Sequence, residues 1–249
     1  MSIARFDHIA YGVEHPTATF TTLRSRLGLE WVQWDTNVGF AALQAEFPSG
    51  FKIEVIHPFE AERNPFMRRF LDRHGNAPHH LTFRLQGIES YLERLGSIGV
   101  EPVAVRLDTP AWREAFVHSR GGIGVLLQLA ESDNDLNTEA PPEWPDAAPE
   151  TARFVRLEHD VEHLGRACEI LAAIDGTPQD PSSDDLGDFI DVVWPGERTL
   201  RLRPSSEQPD GRHRCLVVDR LAGVDTGRPA DPFADPELGA TICVEAADA

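Results

Sequence analysis

Four polar side chains interrupt strongly apolar stretches of this 249-residue chain. His8 lies within Phe6-Asp-His-Ile-Ala-Tyr-Gly-Val13, and 46 positions later Glu54 sits between Ile53 and Val55. His80 precedes Leu81 and Phe83, and 48 positions later Gln128 sits between Leu127 and Leu129. Imidazole nitrogen, carboxylate oxygen and amide oxygen are all metal-competent donors. Each sits in a stretch that reads as a strand, where successive side chains alternate between faces, so each points away from its apolar neighbours. A carboxylate such as Glu54, buried without a cation, needs another partner or a raised pKa, and coordination removes that need. Glu46, on the preceding strand, is the other carboxylate placed for proton transfer.

The elements that must hold these residues recur. Strand 5–13, helix 16–27 and strands 30–34, 39–46 and 51–56 are followed by an inserted helix over 64–73. Strand 79–85, helix 88–98 and strands 103–107, 115–118 and 124–130 then repeat the order. The pattern is β-α-β-β-β twice in about 130 residues, an α+β class built from paired βαβββ modules. If two such repeats pair into a curved mixed sheet, His8, Glu54, His80 and Gln128 converge on one cavity. His79 faces the opposite way from His80 and reads as structural. His57, His74 and His118 have no symmetric counterparts and read as surface or capping residues. Trp31, Trp34 and Phe40 serve equally as cavity wall or as core. Gly121-Gly-Ile-Gly124 precedes no helix, which makes it a turn and not a phosphate loop.

Charge divides the chain. The net charge is −18, yet the residues through Ala130 hold 13 basic against 14 acidic side chains, and those beyond hold 10 against 27. Such acidity disfavours a nucleic-acid groove or an anionic membrane surface as partner. The shift coincides with a polar, proline-rich stretch, so we divide the chain into a domain over 1–131, a linker over 132–151 and a second domain over 152–249. Segments 177–185 and 223–236 read as loops, and the acidic run 180–188 as a solvated loop lacking the glycine and terminal glutamate of a calcium loop. No apolar run approaches a membrane span and the first 20 residues lack a secretion signal, so a cytoplasmic protein is expected. Cys168, Cys215 and Cys243 read as reduced core residues.

On Phe6-Asp-His-Ile-Ala-Tyr-Gly-Val13, Lys52-Ile-Glu-Val-Ile-His-Pro58, Asn64-Pro-Phe-Met-Arg-Arg-Phe-Leu-Asp-Arg-His-Gly75, His79-His-Leu-Thr-Phe83 and Gly124-Val-Leu-Leu-Gln-Leu129, the first half resembles the vicinal oxygen chelate superfamily. This group includes glyoxalases, bleomycin-resistance proteins and dioxygenases, and within it the likeness is strongest to methylmalonyl-CoA epimerases. The resemblance implies a glyoxalase-like fold of two tandem modules and one divalent metal ion (Zn, Co, Ni, Mn or Fe). His8, Glu54, His80 and Gln128 would hold that ion, with positions open for two substrate oxygens. It implies a lyase or isomerase working through a metal-stabilised enediolate on a small carbonyl or acyl-thioester substrate, as a monomer or homodimer. The alternatives are a non-enzymatic binding or resistance protein and an Fe(II) extradiol-type dioxygenase.

One departure bears on mechanism. Epimerase-like members carry glutamine at the position of Glu54 and glutamate at that of Gln128, so the two are exchanged here. The ligand charge is unchanged, and a mixed nitrogen and oxygen set suits an octahedral divalent ion better than a closed structural zinc site. Gln128 cannot accept a proton, which leaves Glu54 or Glu46 as the catalytic base. The second half echoes the first: Arg153-Phe-Val-Arg-Leu-Glu-His-Asp-Val-Glu-His163 aligns with Arg5 to His15 at an offset of 148. There Arg156 replaces His8, and aligning Gly211-Arg-His-Arg-Cys-Leu-Val217 separately on Ala77-Pro-His-His-Leu-Thr-Phe83 sets Arg214 opposite His80. Arginine stays protonated and cannot ligate a metal, so the second module is expected to lack one.

Overall fold

The computed structural model describes residues 3–121, 123–132, 137–205, 212–223 and 232–245. Within the first half, β1 (Arg5–Gly12) is followed by two short helical turns, Pro16–Thr19 and Thr21–Arg26, and then by β2 (Glu30–Asn37), β3 (Phe40–Glu46) and β4 (Lys52–His57). Helix α1 (Phe66–His74) precedes β5 (Ala77–Arg84), α2 (Ile88–Ser97), β6 (Val103–Arg106), β7 (Arg113–Val117) and β8 (Leu126–Glu131). The second half runs β9 (Phe154–Val161), α3 (Leu164–Ala173), β10 (Thr177–Pro178), β11 (Ser182–Asp184), β12 (Gly187–Trp194), β13 (Arg198–Pro204), β14 (Arg212–Val218), β15 (Phe233–Asp235) and β16 (Ala240–Val244).

The strands form two mixed sheets, ordered β2-β3-β4-β1-β5-β8-β7-β6 and β10-β12-β13-β9-β14-β16-β15, with β11 pairing β12. The expected α+β architecture of tandem βαβββ modules is therefore present. In each repeat the first strand lies parallel to the last: β1 with β4, β5 with β8, β9 with β13 and β14 with β16. A parallel strand in mid-sheet is covered on both faces, and β1 is buried at every residue after Arg5.

Several expected elements change. The helix expected over 16–27 is not regular. Four threonines crowd its first turns, and β-branched side chains restrict χ1 against the preceding turn. Thr19 Oγ1 donates to the Pro16 carbonyl at 2.7 Å, and the Leu27 amide reaches back five residues to the Thr22 carbonyl. Segment 177–185, expected as loop, contributes β10 and β11. The expected loop at 223–236 lies outside the described residues over 224–231, but its end forms β15. The linker is likewise outside them over 133–136, and the expected turn at Gly122. The described part of the linker is pinned: the Thr138, Ala148 and Ala152 amides donate to the carbonyls of Val32, Arg24 and Leu27, and Trp144 packs edge-on against Phe20 and Trp31. All three cysteines are free thiols, as expected, but only Cys215 is a buried core residue; Cys168 and Cys243 are half-buried.

Contacts cluster into two units. One comprises Met1–Asp7, His80–Asp135 and Arg156–Arg214. Its core includes a ring trio of Phe6, Phe83 and Trp194, with centroids 4.9–5.3 Å apart. The other comprises His8–His79, Leu136–Val155 and Cys215–Ala249. There Phe51 stacks on Phe154 at 3.9 Å, and α1 presses so close to β1 that a Cβ on Gly12 would stand 2.6 Å from Phe70 Cε1.

Two measurements test this packing. Gly12→Ala should cost about 1–3 kcal/mol through overpacking, read as a lower urea midpoint at constant slope. Gly96→Ala, where nothing lies within 4 Å, should leave stability unchanged or slightly raised. In the first unit His159 is fully buried, its Nε2 bonded to the Ile123 carbonyl, and His213 lies beside it. Burial pushes His159 down to about 4 and His213 to about 3. Because unfolded histidine titrates near 6.5, the unfolded chain binds more protons below that pH, so stability is full above about pH 6.5 and is lost as pH falls toward 4. The urea midpoint should therefore drop between pH 7 and pH 4.5, less steeply in His159→Phe; equal slopes would exclude this histidine as the cause.

Candidate functional site

In the unit that carries β1 to β4, the pairing registers place Gln44 opposite Glu54, Ala10 beside Glu54 and His8 beside Lys52. Paired residues share a face, so His8, Gln44 and Glu54 point the same way, opposite to Ile9, Ile53 and Val55. All three are buried. His8 Nε2 lies 3.7 Å from Glu54 Oε2, and Gln44 Nε2 donates to Glu54 Oε1 at 2.9 Å. Along the same face Ala42 and Ile56 pack with Met67, and the rings of Phe40, Phe66 and Phe70 extend that cluster. Helix α1 thus supplies apolar side chains to the face that bears Glu54.

His79 packs its ring against Phe66 and Phe70 of α1. Burial pushes its pKa down to about 4, partly offset by the Glu54 charge. This packing role agrees with the structural reading of His79. Glu46 ends β3 opposite Lys52 and Glu30, on the face of Gln44 but one residue pair further along. His57 packs beside Trp34, His74 beside Phe70, and His118 Nδ1 accepts the Arg120 amide. Trp31 belongs to the cluster with Phe20 and Trp144, and Phe40 packs edge-on against Phe66.

In the unit that carries most of β5 and all of β6 to β8, Thr82 pairs with Gln128, His80 with Leu126 and Phe116 with Gln128. His80, Thr82, Glu114, Phe116 and Gln128 consequently share one face. Thr82 Oγ1 donates to Gln128 Oε1 at 2.8 Å, and Gln128 Nε2 donates to Glu114 Oε2 at 2.9 Å. Glu114 also accepts from Trp112 Nε1 at 3.1 Å and from Arg106 at 3.3 Å. The edge of the Phe116 ring meets His80, with centroids 6.5 Å apart.

Gln44 and Glu114 were missing from the residues picked out by sequence. Gln44 carries the same signal as Glu54, a polar residue between Leu43 and Ala45, but has no counterpart at the matched position of the other repeat, which is Phe116. Glu114 escaped because the strand was expected to start at Ala115, whereas β7 begins at Arg113.

In the second sheet the arginines are ion-paired. Arg156 donates to Glu158 Oε1, Arg203 donates to Glu158 Oε2 and to Asp184, and Arg214 to Asp160. Burial pushes the Glu158 carboxyl up, but hydrogen bonds from Arg203 and Arg156 outweigh it and hold it below its ordinary value. Burial opposes the charge on Arg203 as well, yet Asp184 and Glu158 raise its pKa overall. Each charge is thereby matched inside the unit.

A family model described as a glyoxalase-like domain matches residues 6–174. Among curated proteins no relative matches. A hypothetical protein from Staphylococcus aureus is 12% identical, with 99% of this chain and 100% of that one covered at a TM-score of 0.63. A mutant 4-hydroxymandelate synthase from Streptomyces coelicolor is 16% identical, over 88% of this chain and 71% of that one, with a TM-score of 0.60. Methylmalonyl-CoA epimerase from Mycobacterium tuberculosis is 26% identical over 51% of this chain and 87% of that one, with a TM-score of 0.45. The first two likenesses are of fold. The family match covers well over half of the residues, and the chain belongs to the glyoxalase-like domain family.

Proposed function

We propose that this protein is a divalent-metal-dependent isomerase or lyase acting on a small carbonyl or acyl-thioester substrate, with His8, Glu54, His80 and Gln128 as the metal ligands. The observation that supports this most is that His8 Nε2 lies 3.7 Å from Glu54 Oε2, an imidazole and a carboxylate side by side on one buried face. Donors about 2.1 Å from an octahedral ion stand about 3–4 Å apart, a spacing this pair already has. The donor set fits: two imidazoles, one carboxylate, and an amide oxygen whose second lone pair remains after the bond from Thr82. Bound there, a divalent cation supplies Lewis-acid polarisation of a carbonyl oxygen, which acidifies the adjacent C–H.

The rest of the task falls to the chain. Glu54 is the carboxylate that takes and returns the proton, its orientation held by the Gln44 amide. Glu46 lies at the end of its strand, opposite Lys52. Phe40, Phe66 and Phe70 supply apolar surface beside Glu54, which favours compact substrates and excludes water from the reacting carbon. No helix among the described residues is long and apolar enough to cross a membrane.

Metal content of untagged protein is the direct test. About one divalent ion per chain, lost in His80→Ala, is expected, and α-proton exchange into deuterated water with small 2-oxygenated carbonyl compounds or acyl thioesters should require it. Glu54→Gln should lose exchange and weaken metal binding, and Glu46→Gln should retain both. Exchange lost in Glu46→Gln with metal retained would move the base to Glu46. No metal, even after soaking, would leave sequestration of a small molecule as the function.

A further inference from the structure

We infer that Glu114 is a positioning residue that fixes which end of the Gln128 amide faces the metal, an inference that rests on the metal-centre reading above. A glutamine is a metal ligand only through its oxygen, and the two ends of an amide are nearly equal in size, so the ligand is only as good as whatever prevents it from turning over. In the unit holding β5 to β8 two neighbours do this. An ionised carboxylate only accepts, so Glu114 Oε2 demands the NH2 end, which it receives at 2.9 Å. Thr82 Oγ1 sits on the other side and donates to Oε1 at 2.8 Å. A turned amide would set oxygen against carboxylate. Glu114 is itself fixed by Trp112 Nε1 and Arg106, so donors engage both of its oxygens, which suits it to orient a neighbour and not to collect a proton.

The arrangement also accounts for the exchange of amide and carboxylate between the repeats. On β4 the ligand is a carboxylate held by an amide, Gln44 to Glu54; on β8 it is an amide held by a carboxylate, Gln128 to Glu114. The two donor–acceptor pairs are the same chemistry with the inner and outer members swapped. A glutamine at 128 without an acceptor-only neighbour would be an unreliable ligand, so the identity of residue 114 is tied to that of residue 128.

The test is titration of the metal-free protein with Co2+, whose visible spectrum reports coordination, alongside circular dichroism to confirm folding. Glu114→Ala should weaken Co2+ binding about 10–100-fold, the usual effect of losing a residue that orients a ligand, and change the spectrum. Glu114→Gln, which offers both a donor and an acceptor and so permits either orientation, should bind several-fold more weakly than the parent; it carries the test if the alanine variant does not fold. Adding Gln128→Glu to Glu114→Gln rebuilds on β8 the pair seen on β4, and should restore affinity to the parent level or above. Parent protein that binds Co2+ while both single variants bind equally well, with unchanged spectra, would overturn the role of Glu114 and leave the metal centre standing. Parent protein that takes up no Co2+ would overturn both.

Discussion

Polar side chains in mid-sheet must be satisfied where they are buried, and this constraint orders the molecule. Leaving a buried hydrogen-bonding group unmatched costs about 1–3 kcal/mol, and an unmatched charge costs more. The central strands β1, β5 and β9 nevertheless carry His8, His80, Glu158, His159 and Asp160, all buried. Each lies within reach of side chains from the neighbouring strand or from a strand two positions away. Parallel pairing of the first and last strands of each repeat keeps those neighbours in register, so topology and polar chemistry are one problem with one solution.

The two halves solve it differently. In the first sheet an amide and a carboxylate pair on each side, Gln44 with Glu54 and Gln128 with Glu114, with a hydroxyl from Thr82 on Gln128 and a single arginine, Arg106, reaching Glu114. In the second sheet arginines take the equivalent places, and Arg156, Glu158, Arg203 and Asp184 neutralise one another. A protonated guanidinium brings its own counter-charge requirement and cannot itself ligate a metal. One scaffold thus supports amide–carboxylate pairs in one sheet and a self-contained ionic network in the other.

Much of this was legible in the residues because the pattern was repeated. The strand-helix-strand order, the 46- and 48-residue intervals between His8 and Glu54 and between His80 and Gln128, and the offset of 148 between the halves all follow from duplication. What duplication did not preserve was harder to read. The helix after β1 lost its regularity to threonines, and β15 and β16 are short strands beyond a stretch rich in glycine, proline and aspartate. Gln44 and Glu114 do not occupy matching positions, so symmetry could not find them. His159 stands between Glu158 and Asp160 and is buried, while arginines from β9, β13 and β14 neutralise those flanking charges.

The joint between the halves has an evolutionary consequence. A proline-rich connection is ordinarily the place where modules can be cut apart, shuffled or spliced to new neighbours. Here Trp144 is one ring of a three-ring cluster with Phe20 and Trp31, and backbone amides of the connection donate to the carbonyls of Arg24 and Leu27, just before β2, and of Val32 within it. Once a connecting segment is anchored in this way, the first half can no longer be separated at that point without breaking the ring cluster and these hydrogen bonds. The tandem arrangement is then retained by packing, whatever side chains the second half carries.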